Sequence, residues 1–472
     1  MTPKGIQTTQ PSAADPVAAC LDPAATLVVA ETALGLPALR QAAALARVMD
    51  VTLALRGADA SALAAELGVA VAGEAQPVPP PAGPALVVSE IRLHRIALPL
   101  SDLYVSSMYL TASQARVVVE LRTAAGLIGW GESHATALPR LQALAKTWLG
   151  RDLARDMPAL RRGFGRIGFD NRDGRNALSA FAGLELAAWD VLAQAAGQPL
   201  RALLGHAGPA RPLPVACPLP AAVPGRLVDR TELAAHMADT GNAQRVAELA
   251  LGFKARFGIN AFKYKSAGTG AAWDVAALSA LRAALGPEAK LRFDPNAAYS
   301  THEALALCRQ LEPLGLEFFE DPTDGLEGLA RLSAHLLTPL ATNMCVIAPD
   351  HLAAAYRRGL RVTVLGDVFL WGGVEGLRQM ALAGRALGHR PAVHSFYESG
   401  VVTAANCHIA LALGMDSPHP MDCGWPGLAA DIGPGFTLHN GAIHCPEGPG
   451  IGFTPHPERL AALASAEAVV LR

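Results

Sequence analysis

The stretch AFKYKSAGTGAAWDVAALSALRAALGPEAKLRFDPN, residues 261–296, decides the fold. It opens on a short apolar run ending in Lys265, passes through a helical pattern, VAALSALRAAL, and closes on a second run ending in Asp294 and Pro295. Strand, helix, strand in that order is a parallel β/α unit. The alternation continues on both sides. PLPVACP (212–218) precedes it, and EFFEDP (317–322), LATNM (340–344), RVTVLGD (361–367) and AVHSF (392–396) follow. Helical patterns such as THEALALCRQL and VEGLRQMALAGRALG lie between them, and an eighth strand is expected near Pro418 to Met421. The fold class is therefore α/β, with residues 213–425 forming a (β/α)8 barrel close to the lower limit of about 200 residues for that fold.

Working outward, residues 86–212 change pattern. SEIRLHRIALPL, ARVVVELRTAAG and LIGWGES read as a β-meander. Helical patterns follow around Ala137 to Thr147, Met157 to Arg166 and Ala177 to Gly197, which predicts an α+β capping domain. Residues 1–85 are Ala-rich and end in PVPPPAGPA (77–85), a Pro-rich linker. Two apolar runs, ATLVVAE and VTLALRG, alternate there with LPALRQAAALARVMD and ASALAAELG, so a small N-terminal α/β extension is expected. It carries no Gly-rich phosphate loop or His/Cys cluster, and its role is unknown. Residues 426–472 form a tail expected to return to the capping domain.

Composition narrows the function. Lys plus Arg number 39 against 41 Asp plus Glu, a net charge of -2 that excludes nucleic acid and anionic membranes as partners. Hydrophobic residues at 51% and charged residues at 17% exclude general disorder. The most apolar helical run, Ala177 to Gly197, carries Glu185 and Asp190, so no membrane span is expected. The start, MTPKGIQTTQPSAADP, lacks a signal core, and the seven cysteines form no C-x-x-C pair. A cytoplasmic location without zinc or a disulfide framework is the expectation.

Polar residues end the apolar runs at regular intervals. From Lys265 through Asp294, Glu320, Asn343 and Asp367 to His394 the steps are 29, 26, 23, 24 and 27 residues, one β/α unit each. All should emerge at the C-terminal rim of the barrel, where active sites occur. Asp294, Glu320 and Asn343 are hard oxygen donors from three successive strands and suit Mg²⁺. Lys263 and Lys265 flank Tyr264 on one strand and point the same way. A neighbouring cation lowers a lysine's pKa and readies it as a base. Asp367 is expected to orient His394 for proton transfer. Together these groups suit removal of a proton alpha to a carboxylate. Singly, each has a plainer reading: a turn or cap residue, a solvated strand face, a hydrogen-bonded core histidine. Those readings do not account for one suitable group in each of six consecutive units. GPGIGF (448–453) lacks a strand–helix context and reads as a turn.

On FKYK, LRFDPNAAY, FFEDPT, PLATNMCV, the Asp of LGDVFLWGG and the His of VHS, the chain resembles the enolase superfamily. Within it, the likeness is to the glucarate dehydratase group of the mandelate racemase subgroup. The likeness covers about Val88 to Pro426, and PLATNM is its most specific motif, because most relatives outside this group place a carboxylate where Asn343 stands. The resemblance implies Mg²⁺-dependent dehydration of a small acid sugar to a 2-keto-3-deoxy product. It implies Lys265 and His394 as bases, with Asp367 orienting His394 and Lys263 modulating Lys265 and touching substrate. It implies Asp294, Glu320 and Asn343 on Mg²⁺, Asn296 and Asn343 near substrate, and Asp422 of MDCGWP as a polar group beside the His. Relatives are often symmetric, so a homo-oligomer is implied by analogy alone.

The chain also departs from that group. The capping loop, SDLYVSSMYLTASQ (101–114), lacks the group's Asn and His. Phe396 replaces an Asn two positions after the His, Gly424 replaces a His in the D-x-x-W-P motif, and the tail lacks a distal arginine segment. Proton transfer is expected to survive these changes, whereas the substrate end of the pocket is altered. Two other readings stand beside dehydration: a racemase or epimerase of a 2-hydroxy acid, and a non-catalytic partner subunit that retains the fold.

Overall fold

The computed structural model describes residues 27–31, 52–56, 70–71, 86–164, 173–206, 208–415 and 419–472. Strands β1 (Leu27–Glu31), β2 (Thr52–Arg56) and β3 (Ala70–Val71) form a small parallel sheet, so both apolar runs of the extension are strands. Its expected helices and the Pro-rich linker lie outside the described residues.

A second sheet is antiparallel, in the order β17-β4-β5-β6. Its strands are β4 (Val88–Val105), β5 (Leu110–Thr123), β6 (Ile128–His134) and, from the far end of the chain, β17 (Val469–Leu471). One face is apolar at every second residue, as in Ile91 and Leu93 on β4 and Val117, Val119 and Leu121 on β5. That face meets helices Leu138–Trp148, Leu153–Phe164 and Asp173–Ala195. The last helix lies almost on β6: a Cβ on Gly131 would sit 1.9 Å from the Gly183 carbonyl oxygen, so only glycine permits the approach.

Eight parallel strands then close on themselves: β7 (Leu213–Leu219), β8 (Ala261–Lys265), β9 (Lys290–Asp294), β10 (Phe318–Glu320), β11 (Leu340–Thr342), β12 (Thr363–Gly366), β13 (Arg390–Val393) and β14 (Met421–Asp422). Pairing of Met421 with Val215 and of Asp422 with Ala216 joins β14 to β7 and seals the barrel. The expected eighth strand is thus present, beginning at Met421. A hairpin, β15 (Leu438–His439) and β16 (Ala442–Ile443), extends the sheet antiparallel to β7.

Two buried carboxylates on helix Asp173–Ala195 dock the sheet domain on the barrel. Glu185 accepts from the backbone N–H groups of Val374 (2.8 Å) and Glu375 (3.1 Å) and so caps barrel helix Val374–Ala386. Asp190 accepts from Trp130 (2.9 Å) and from Ile451 of the tail (2.9 Å). The capping loop lies on the barrel rim, where Ser107 donates from its N–H to the Ser266 carbonyl (2.7 Å) and from its hydroxyl to the Pro295 carbonyl (2.8 Å). Among the described residues no helix is long and apolar enough to cross a membrane.

Candidate active site

Lys265, Asp294, Glu320 and Asp422 are the last residues of β8, β9, β10 and β14. Asn343, Asp367 and His394 stand one residue beyond β11, β12 and β13. In a parallel barrel these seven positions share one rim, so the sequence spacing has become a ring in space. Lys265 and Asp294 are direct partners in the β8–β9 register. All seven are at most 4% exposed.

The charges interlock. Lys265 Nζ donates to Asp294 Oδ2. Lys263 Nζ reaches Asp422 Oδ2 at 2.6 Å and Glu320 Oε1 at 3.2 Å, and lies 3.9 Å from Asp294. Below them Arg292, fully buried on β9, bonds Asp422 Oδ1 at 2.7 Å and Glu317 at 2.7 Å. Burial opposes the charge of Asp294, but Lys265 and Lys263 hold its carboxyl below the usual range. Glu320 is pushed well up by burial and by the Asp294 charge beside it. Burial and then the two lysines depress the His394 imidazole well below its usual value, so the ring is neutral near pH 7.

Asn343 is set by Asp321, which accepts from the N–H groups of Asn343 (2.8 Å) and Met344 (3.1 Å) and from the Thr342 hydroxyl (2.5 Å). The Asn343 amide Nδ2 meets His394 Nε2 at 3.0 Å, which leaves Asn343 Oδ1 buried without a donor. Glu320 Oε2 likewise accepts no hydrogen bond among the described residues, with the Lys263 ammonium 3.1 Å away as its ion-pair partner. Unpaired buried oxygens are costly, and a hard cation satisfies them. Asp294, Glu320 and Asn343 therefore fit the expected Mg²⁺ as a donor set of two carboxylates and one amide. Among the described residues no group of three His, Cys, Asp or Glu is disposed to hold a metal; the trio has only two such members.

Four expectations need correction. Asp367 does not bond His394: Asp367 Oδ1 accepts from the Leu370 N–H (2.8 Å), while Asp367 Oδ2 and His394 Nδ1 are both buried without hydrogen-bond partners among the described residues. Burial pushes the Asp367 carboxyl up to about 7. Asp422, read as substrate-binding, has both its oxygens taken by Lys263 and Arg292. Lys263 is 0% exposed and lies beneath the rim, so it presents no surface to a substrate. Lys265 is not lowered overall; burial is the largest influence and lowers it, but the charge and hydrogen bond of Asp294, with smaller contributions from Tyr104 and Glu320, together raise it. Asn296 has its N–H on Asp294 Oδ1 (3.0 Å), its amide 3.9 Å from the Met344 sulfur, and φ 50°.

Sequence reading missed Arg292, Asp321 and Tyr104. Arg292 was legible as an arginine between Leu291 and Phe293 inside a strand. Asp321 was hidden in an ordinary-looking EDP turn. Tyr104 comes from the capping loop, edge-on to Tyr397 with centroids 5.1 Å apart, and no pattern joins those two in sequence.

Comparison with known proteins follows this geometry. Residues 100–205 match the family described as mandelate racemase / muconate lactonizing enzyme, N-terminal domain, and residues 245–459 match the enolase C-terminal domain-like family. The chain is 31% identical to a probable glucarate dehydratase of Streptomyces coelicolor, over 74% of this chain and 84% of that one. It is 26% identical to an arabinonate dehydratase of Saccharolobus solfataricus, over 72% of this chain and 87% of that one. A solved Streptomyces coelicolor enolase, described as a putative sugar isomerase, superposes with a TM-score of 0.71 at 30% identity, covering 80% of this chain and 96% of that one. A Thermobispora bispora enolase solved with magnesium and formate gives 0.70 at 29% identity, covering 80% and 92%. The barrel, its capping sheet and these likenesses agree: the chain belongs to the enolase superfamily of enzymes, in the branch of mandelate racemase and muconate lactonizing enzyme.

Proposed function

We propose that this enzyme dehydrates an acid sugar, removing the proton alpha to the carboxylate and expelling the β-hydroxyl as water. The enol so formed tautomerises to a 2-keto-3-deoxy acid. The observation that carries the reading is the convergence of Lys265, His394 and two donorless oxygens, Glu320 Oε2 and Asn343 Oδ1, on one buried rim. Asp294, Glu320 and Asn343 would hold Mg²⁺, which when bound supplies Lewis-acid stabilisation of charge developing on the substrate carboxylate. Lys265 becomes a base only when Asp294 gives its charge to another cation, because a lysine paired with a carboxylate keeps its proton. His394 is neutral already and serves as the second proton-transfer group. Lys263, pinned by Asp422 and Glu320, keeps positive charge beneath the site. Likeness to a probable glucarate dehydratase and an arabinonate dehydratase supports loss of water.

The test is a screen of mono- and diacid sugars with Mg²⁺, reading 2-keto acid. Keto acid formation that disappears in Lys265→Ala and His394→Ala supports the proposal. A second reading, racemisation or epimerisation, is favoured by likeness to an N-succinylamino acid racemase of Thermus thermophilus at 29% identity. Exchange of the alpha proton in D₂O without keto acid would establish it in place of dehydration. Two carboxylates and one amide leave the Mg²⁺ shell near neutral, which suits a doubly charged diacid. Asn343→Asp is then expected to weaken diacid binding at constant Mg²⁺, measured by titration calorimetry.

A further inference from the structure

The segment that carries His394, residues 394–399, is folded on itself and held from outside the barrel. Glu398, inside the segment, accepts from the Ser395 hydroxyl (3.0 Å), the Phe396 N–H (2.7 Å) and the Asn406 amide (3.1 Å). Tyr397 takes a left-handed conformation, φ 57°, which bends the segment back toward the barrel. The capping domain then grips it at two points. Arg116 on β5 donates from Nη2 to the Phe396 carbonyl at 2.5 Å. Glu132 on β6 accepts from the Ser399 N–H at 3.0 Å and from the Ser399 hydroxyl. Arg116 Nε and Glu132 Oε1 approach to 3.1 Å, 3% and 0% exposed. The β5–β6 register pairs Arg116 with His134 and Val118 with Glu132, so the two gripping side chains come from adjacent strands of one sheet.

Phe396 carries the first grip on its carbonyl. Its ring stands edge-on to the His394 imidazole, centroids 4.4 Å apart, and to His134 of the capping domain at 5.5 Å. Nδ1 of the imidazole has no partner among the described residues, and Nε2 meets only the Asn343 amide (3.0 Å) and, more distantly, Glu320 Oε1 (3.7 Å), so the Phe396 ring contributes to its orientation. A buried ion pair contributes little net stability compared with apolar residues of the same volume. Here both members are spent on backbone groups of one loop, which is a geometric use of the pair.

We propose that Arg116 and Glu132 are positioning residues by which the capping domain sets His394, so that proton transfer on the His394 face depends on this grip while transfer at Lys265 does not. The inference rests on the reading of Lys265 and His394 as the two proton-transfer groups. A substrate's two α-epimers direct the proton to opposite faces, so each reports one base. In Arg116→Met and Glu132→Leu, D₂O exchange of the epimer that uses His394 is expected to fall about 10- to 100-fold, as for loss of an outer-shell partner, with the Lys265 epimer within about twofold. Arg116→Lys, which keeps a donor to the Phe396 carbonyl, is expected to recover part of the loss. Equal falls for both epimers, or no fall, would overturn the proposal. A second measurement needs no substrate: carbethoxylation of His394 by diethylpyrocarbonate, read by peptide mass spectrometry. The imidazole is 1% exposed. Its modification should rise at least about fivefold in both variants, measured well below the melting temperature of each, because a loosened ring opens to reagent. An unchanged rate overturns the positioning role even if no acid sugar turns over.

Discussion

The capping sheet and the barrel interior are built on opposite terms. Beneath the capping helices the packing is apolar, with Ile91, Leu93, Val117, Trp148 and Phe181 each at most 1% exposed. Inside the barrel Lys263, Arg292, Asp294, Glu320 and Asp422 are all 0% exposed, where layers of branched apolar side chains are the rule. Burying an ion costs several kcal/mol before pairing offsets it. The barrel bears that cost because its outer seam is apolar, as in Phe262, Leu278, Leu281 and Leu291. Stability resides in one region and between strands and helices of the other; chemistry resides where the interior is charged.

Glu320→Gln tests this contrast most severely. Activity on the substrate found by the screen should fall at least about 10³-fold, the scale of losing a group that stabilises developing charge. The stability of the metal-free protein should not fall, because burial and Asp294 already disfavour the Glu320 charge. A large loss in urea midpoint would break the contrast. Phe181→Ala should do the reverse, lowering stability by about 3–5 kcal/mol with kcat retained. Chelation by EDTA is expected to abolish turnover and lower Tm, with Mg²⁺ restoring both; a Tm that does not respond to Mg²⁺ would count against the donor set.

Glu132 sharpens the boundary between the regions. Burial pushes its carboxyl up to about 7, against Arg116 and Ser399. A carboxyl raised on folding is neutral in both states at low pH and destabilises once the unfolded chain ionises. Its contribution therefore weakens the fold from about pH 4.5 up to about 7 and is constant above. Urea midpoints at pH 5 and 8 should show Glu132→Gln gaining relative to the parent as pH rises, by a few kcal/mol at most. The smallest effect belongs to the exposed pair Arg226–Glu232, 64% and 43% exposed, where Arg226→Ala should leave the urea midpoint unchanged.

Much of this was legible in sequence. The alternation of runs from Leu213 to Asp422 is a barrel in the structure, and the spacing from Lys265 to His394 is its rim, because one β/α unit per step leaves little freedom. Conserving the order of groups was enough to place Lys265, Asp294, Glu320, Asn343, Asp367 and His394 on a single ring. What spacing does not encode is the direction of each side chain within that ring. Asp367 and His394 are adjacent in strand order, yet Asp367 turns to its own loop at Leu370 and His394 turns to Asn343. Asp422 was visible as a strand-end carboxylate, but its partners Lys263 and Arg292 lie 159 and 130 residues away in the chain.

The sequence by itself determined the architecture and the inventory of reactive groups, because hydrophobic period and strand order are local properties. Tertiary structure alone decided the pairings: which lysine is masked by which carboxylate, which oxygens are left for a cation, and that Arg116 and Glu132 of the capping domain hold the loop of His394 some 260–280 residues further along the chain. Those choices depend on burial and on distances between strands remote in sequence, and both exist only once the barrel has closed and the capping domain has docked.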